Sequence, residues 1–209
     1  MKHIVFTLIL FIINTAHSYA DTLHAKLEFT RRPPYTGVLY IDGGQNTFIN
    51  LEMNHRDKQF SHKILAGSPG KEVIFKNNDE FEHNLHIHEP LMNFYQDLGM
   101  LEPGSRSSVS IRWQPNSLAR VHCKIHPRME SYIANIISSN YHTYSFEHDI
   151  QMYETTLKNL PLRAVQVRLL MPDYDDLAIY IGLNEKRLVN VTRNGEIRGI
   201  LSLERKQHQ

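Results

Sequence analysis

Short runs rich in Val, Ile, Phe and Tyr, such as "GVLYIDGG", "TFINLEMN" and "KEVIFKNNDE", are cut at intervals by Gly, Pro, Asn and Asp. That punctuation is the pattern of strands and turns, and no long stretch carries helical periodicity. In "LAGSPGKEVIFKNND", Ser68-Pro69-Gly70 reads as a turn, Val73 and Phe75 share one strand face, and Asn77-Asn78-Asp79 is a second turn leading into "FEHNLHIHEP". Later, "LPLRAVQVRLL" places Val165, Val167 and Leu169 on one face, and "LAIYIGL" does the same with Leu177, Ile179 and Ile181. Asn194-Gly195 in "RLVNVTRNGEIRGILSL" is the pair favoured in a two-residue hairpin turn, where both positions need positive φ. The segment "SSNYHTYSFEHDIQMYETT" lacks clean alternation and places a boundary at about residue 140. The pattern predicts an all-β protein, with a meander of antiparallel strands as its last part.

The beginning of the chain breaks this pattern. Lys2 and His3 precede the apolar run "IVFTLILFII", and "SYA" sets small residues at Ser18 and Ala20 before Asp21. This reads as a signal peptide over residues 1–20, since the run is about half of what a membrane-spanning helix needs. An exported, periplasmic protein with no membrane segment after cleavage is the expectation. The net charge of +1 comes from interspersed charges, which leaves no field suited to nucleic acid. A single cysteine, Cys123, excludes an internal disulfide framework. The thiol then needs another explanation, although a lone buried cysteine is usually an inert small hydrophobe.

Thirteen histidines are scattered along the chain, but only "HNLHIH" and "HCKIH" concentrate them, both beside turn signals. One thiolate, two imidazoles and a thioether are offered by Cys123, His83, His126 and Met129. That donor set suits a trigonal copper site with a long axial thioether, of the kind that transfers single electrons. Cys123, His126 and Met129 fall within the one loop "CKIHPRM", between "RVHC" and "SYIANII". His83 must arrive from a distant strand end, and Asn84 beside it is placed to hydrogen-bond across to the cysteine loop. Met129 has core packing as its alternative reading. His86 and His88 read as a partly solvated strand face, or as a second metal site. His122 reads as a strand residue pointing away from Cys123. Asp173, Asp175 and Asp176 lack the spacing of a cation loop and read as a solvated turn.

From about residue 63 to 136 the chain resembles the cupredoxins, the amicyanin-like group in particular, on "GSPGKEVIFKNNDEFEHNLHI" and "VHCKIHPRMESYI". The resemblance implies a cupredoxin-like Greek-key β-sandwich over residues 21–140, counting the N-terminal strands, and a C-terminal antiparallel β-rich extension over 141–209. It implies one copper ion cycling between Cu(I) and Cu(II), held by His83, Cys123, His126 and Met129, with Asn84 bracing the loop. The exported arrangement resembles methylamine-utilisation-type proteins, which implies an electron carrier rather than a catalyst. Redox protein partners would dock at the loop of Lys124, His126 and Arg128; copper binding and delivery is the alternative. In copper nitrite reductases a residue placed like His122 serves a second, catalytic copper, but such enzymes draw further histidines from another domain, and after His148 only His208 follows here. The family commonly has glycine where this chain has Ser131, which would strain the loop if that position needs positive φ.

Overall fold

The computed structural model describes residues 21–44, 51–90 and 93–207, so the expected signal segment and His208 lie outside the described residues. Every regular element among the described residues is a strand. In chain order the first are β1 (Asp21–Phe29), β2 (Thr36–Ile41), β3 (Leu51–Arg56), β4 (Gln59–Phe60), β5 (Ile64–Gly67) and β6 (Glu72–Asn77). Then come β7 (His83–Glu89), β8 (Phe94–Leu101), β9 (Arg106–Ser110), β10 (Ser117–Cys123) and β11 (Glu130–Asn135). The last are β12 (Tyr141–Ser145), β13 (Met152–Leu160), β14 (Val165–Leu170), β15 (Leu177–Ile181), β16 (Lys186–Arg193) and β17 (Glu196–Gln207). The all-β expectation is met, and the C-terminal block is antiparallel as its alternation and Asn194-Gly195 turn foretold.

Four sheets form two sandwiches. The first stacks β5-β11-β10-β7-β8 on β4-β3-β6-β9, and the second stacks β12-β2-β14-β15 on β13-β1-β17-β16. Most pairings are antiparallel; β5 with β11 and β3 with β6 are parallel, which marks crossovers between the two sheets of the first sandwich. The first core gathers Met53, Phe75, Leu85, Ile87, Val121 and Ile133 with Cys123 and Met129; the second gathers Leu23, Leu27, Leu39, Val167, Ile181 and Leu201. Strand alternation explains both. In β10 the residues Ser117, Ala119, Val121 and Cys123 turn inward, and in β1 Leu23, Ala25, Leu27 and Phe29 do.

The pairing of the N-terminal strands differs from the grouping expected for residues 21–140. β1 is bonded to β13 and β17, and β2 to β12 and β14, all beyond residue 140. Alternation declares a buried face but not which strand will cover it, and here the cover is made late in the chain. β2 is buried along its whole length because both faces are used. Leu39 and Ile41 enter the second core while Val38 and Tyr40 enter the first, and the Tyr40 hydroxyl donates to Asn116 Oδ1 at 2.8 Å.

The acidic cluster has a structural use. Asp175 accepts the N–H groups of Asn194 and Gly195 at 3.1 and 2.9 Å, and Asp173 pairs with Arg193. This ties down the β16–β17 hairpin turn, whose two central residues have φ of 52° and 76°.

Candidate metal centre

β7 and β10 run antiparallel with Cys123 opposite Leu85, so the start of one strand lies beside the end of the other. That register carries His83 to Cys123 across 40 residues of chain. The loop after Cys123 then folds back on itself: Met129 N–H donates to the His126 carbonyl at 2.8 Å and Cys123 N–H to the Met129 carbonyl at 3.2 Å. The turn swings His126 over the thiol.

The result is a triangle of donor atoms. His83 Nδ1 is 3.7 Å and His126 Nδ1 3.6 Å from Cys123 Sγ, and the two nitrogens are 3.2 Å apart. A first-row metal ion holds imidazole nitrogen at ~2.0 Å and thiolate at ~2.3 Å, so donors around one ion lie roughly 3.3–3.6 Å (N to N) and 3.5–3.8 Å (N to S) apart. The triangle is therefore already close to the spacing that one ion needs. Among the described residues it is the only group of three or more His, Cys, Asp or Glu ligand atoms within 4.8 Å of one another. Two imidazoles and a thiolate suit a first-row metal such as copper.

Burial grades the three donors. His83 and Cys123 are buried, at 0% and 1% exposed, whereas His126 is half-buried at the molecular edge. Burial lowers the pKa of His126, and the neighbouring His83 and Lys58 push it the same way. Asp79 pulls the other way, and the net downward shift favours the neutral form, in which an imidazole binds metal. Met129, also from the loop, is buried at 1% within the first core.

Asn84 braces the loop through its backbone rather than its side chain. Its carbonyl accepts Lys124 N–H at 2.9 Å, while its amide nitrogen lies 3.3 Å from Met100 Sδ and its Oδ1 bonds His86. Ser131 causes no strain: it stands in β11, is absent from the positive-φ positions, and its hydroxyl donates to the His62 carbonyl at 2.8 Å. His86 is buried and bonded to Asn84 and the Tyr95 hydroxyl, and His122 faces it with ring centroids 5.6 Å apart. His88 is exposed on the same strand.

Three residues around His83 are invisible to motif reading. Asp79 Oδ2 lies 2.8 Å from His83 Nε2, with side chains 4% and 0% exposed. Burial by itself would raise the Asp79 pKa, but the N–H groups of Lys58 and Asp57 and the contact with His83 outweigh it, so the net shift is downward. His55 packs its ring edge-on to His83, with centroids 4.5 Å apart. Its pKa is lowered to about 4 by burial and by His83, against an opposing pull from Asp79. Phe81, 39% exposed, sits 5.5 Å from the rings of both His83 and His126. An acid four residues before His83 was the one available signal for Asp79; His55 comes from β3 and had none.

Outside the triangle the surface is mixed. Ile125 is 49% exposed and Lys124 Nζ approaches Asp97 at 4.0 Å. A cleft of about 930 Å³ opens beside His126 and Arg128, with Lys58 and His62 on one side and Tyr35 and Thr143 of the second sandwich's chain segments on the other.

No protein-family model matches this chain, and no curated protein matches it. Solved structures do. A purple cupredoxin from Nitrosopumilus maritimus is 16% identical with a TM-score of 0.35, covering 41% of this chain and 99% of its own. A reduced variant of amicyanin is 14% identical with a TM-score of 0.37, covering 53% of this chain and 98% of its own. A copper-containing nitrite reductase from Thermus scotoductus SA-01 is 21% identical with a TM-score of 0.37 over 41% of this chain, which spans only 22% of that enzyme.

Proposed function

We propose that the protein is an exported, periplasmic type 1 copper protein that carries single electrons between redox partners. The observation that carries this reading is the His83–Cys123–His126 triangle, with donor separations of 3.2 to 3.7 Å already set by the fold. Copper bound there supplies one-electron chemistry between Cu(I) and Cu(II). The chain's part is to hold its donors still. β7 and β10 fix His83 and Cys123, and the loop's own hydrogen bonds fix His126, so little rearrangement accompanies a change of charge. Met129, from the same loop, would supply a thioether to the ion. Burial keeps water from the thiolate and from His83, and ligation protects a lone cysteine from oxidation.

His126 is the donor nearest solvent and is the electron exit. Around it Phe81 and Ile125 offer apolar contact, while Lys58, Lys124 and Arg128 favour an acidic partner surface. Copper delivery is the weaker reading, since two of the three donors are buried and ligand exchange with another protein needs them reachable. One copper per chain is expected.

The test is the absorption and paramagnetic-resonance spectrum of the copper-loaded protein. An intense visible thiolate-to-copper band with narrow copper hyperfine splitting is expected, and Cys123→Ser abolishes the band. Full copper loading of the wild-type chain without that band would sink the proposal.

A further inference from the structure

Among the described residues, Asp79 supplies the only carboxylate in hydrogen-bond reach of a side chain in the donor triangle. Its own position is fixed from several directions. Oδ1 accepts the N–H of Asp57, and Oδ2 accepts that of Lys58 at 3.2 Å and lies 2.8 Å from His83 Nε2. The N–H of Asp79 donates to Asn77 Oδ1 at 2.9 Å, and the Asn77 amide donates to the carbonyls of Phe81 and Leu101 at 2.8 and 2.9 Å. Segment 77–81 is thus pinned to the ends of β6 and β8. Asp57 and Lys58 turn their N–H groups toward one carboxylate because both have left-handed φ, 54° and 58°. Two non-glycine residues in that region cost conformational energy, which the carboxylate's two hydrogen bonds offset.

On this frame, and resting on the copper reading above, we infer that Asp79 is a positioning residue that locks His83 for metal binding and biases the site toward the oxidised ion. Two effects follow from one contact. A carboxylate only accepts, so the hydrogen of the neutral imidazole stays on Nε2 and the lone pair on Nδ1 faces Cys123 and His126. A fixed negative charge, almost excluded from water, also favours Cu(II) over Cu(I), because attraction grows with the ion's charge and little solvent screens it. A carboxylate that merely tied the turn would do neither.

Variants at Asp79 separate these roles. Asp79→Asn keeps an oxygen for His83 and removes the charge, and Asp79→Glu keeps the charge. In the copper-loaded protein, Asp79→Asn should weaken Cu(II) relative to Cu(I) binding about tenfold, a rise of ~59 mV in midpoint potential for one electron. Asp79→Glu should stay nearer the wild type. Equal potentials in wild type and Asp79→Asn, or equal shifts in the Asn and Glu variants, would overturn the charge effect. The locking is read without metal, from ring-nitrogen resonances of His83 in the apoprotein. Wild type should show the single Nε2–H tautomer, and Asp79→Ala, or Asp79→Ser if the alanine variant does not fold, a mixture. A single tautomer in the variant overturns the locking. That result stands apart from failure of the copper reading, which shows as a missing visible band in the wild type.

Discussion

Arg205 is a charged side chain at 0% exposure, paired with an equally buried Asp21 at 2.7 Å and bonded to the carbonyls of Arg163 and Ile181 at 2.8 and 3.2 Å. Removing one partner of such a pair leaves the other uncompensated in a medium that solvates it poorly. Asp21→Ala and Arg205→Met should therefore each cost about 3–5 kcal/mol, read as a lowered denaturation midpoint, whereas the double replacement, which deletes both charges together, should cost less than the sum of the two. Neither residue has a motif, and the same holds for some of the residues around the donor triangle. Cys123 and His126 were legible because donor chemistry and short spacing coincide in the sequence, and His83 because it follows a turn in a histidine-rich segment. Asp79 was not, since "NND" reads as a turn and nothing local shows that Asp57 and Lys58 will donate to its carboxylate. His55 was not, because its place against His83 comes from the parallel pairing of β3 with β6, which no local pattern encodes. Asn84 shows the reverse: a hydrogen bond from it to the cysteine loop was expected, but that its carbonyl would make it was not legible.

At the scale of elements, two glycines of the β16–β17 hairpin are needed for different reasons. Gly195 has φ of 76° and open space where a Cβ would stand, so Gly195→Ala should cost only the left-handed conformation, about 1–2 kcal/mol. At Gly199 φ lies outside the left-handed region, but a Cβ would meet the Glu28 carbonyl oxygen of β1 at 2.5 Å. Backbone cannot step aside as a side chain can, so Gly199→Ala should destabilise more than Gly195→Ala and should lower amide-exchange protection in both β1 and β17. The opposite order in denaturation midpoints would count against this account. The Asn194-Gly195 turn was plain in the sequence because its φ requirement is local. The closeness of Gly199 to β1 was not, because it depends on a partner 170 residues away in register with Phe29.

For the molecule as a whole, copper should bind a preformed site and thereby stabilise the folded state. With free copper at 100 times its dissociation constant the gain is about 2.7 kcal/mol, visible as a raised unfolding temperature that a chelator reverses and Cys123→Ser largely removes. The sheets of the first sandwich are built from β3 to β11, although its core also takes Val38, Tyr40 and Leu170, whereas the sheets of the second need β1 and β2 together with β12 to β17. Chains are made from the N-terminus, so β1 appears early and its apolar face stays uncovered until β13 and β17 have been synthesised. A nascent chain halted just after residue 140 already carries His83, Cys123 and His126, and still lacks every strand that pairs with β1 and β2. In the order of synthesis, therefore, the donors of the triangle are all present before any strand that covers β1 and β2.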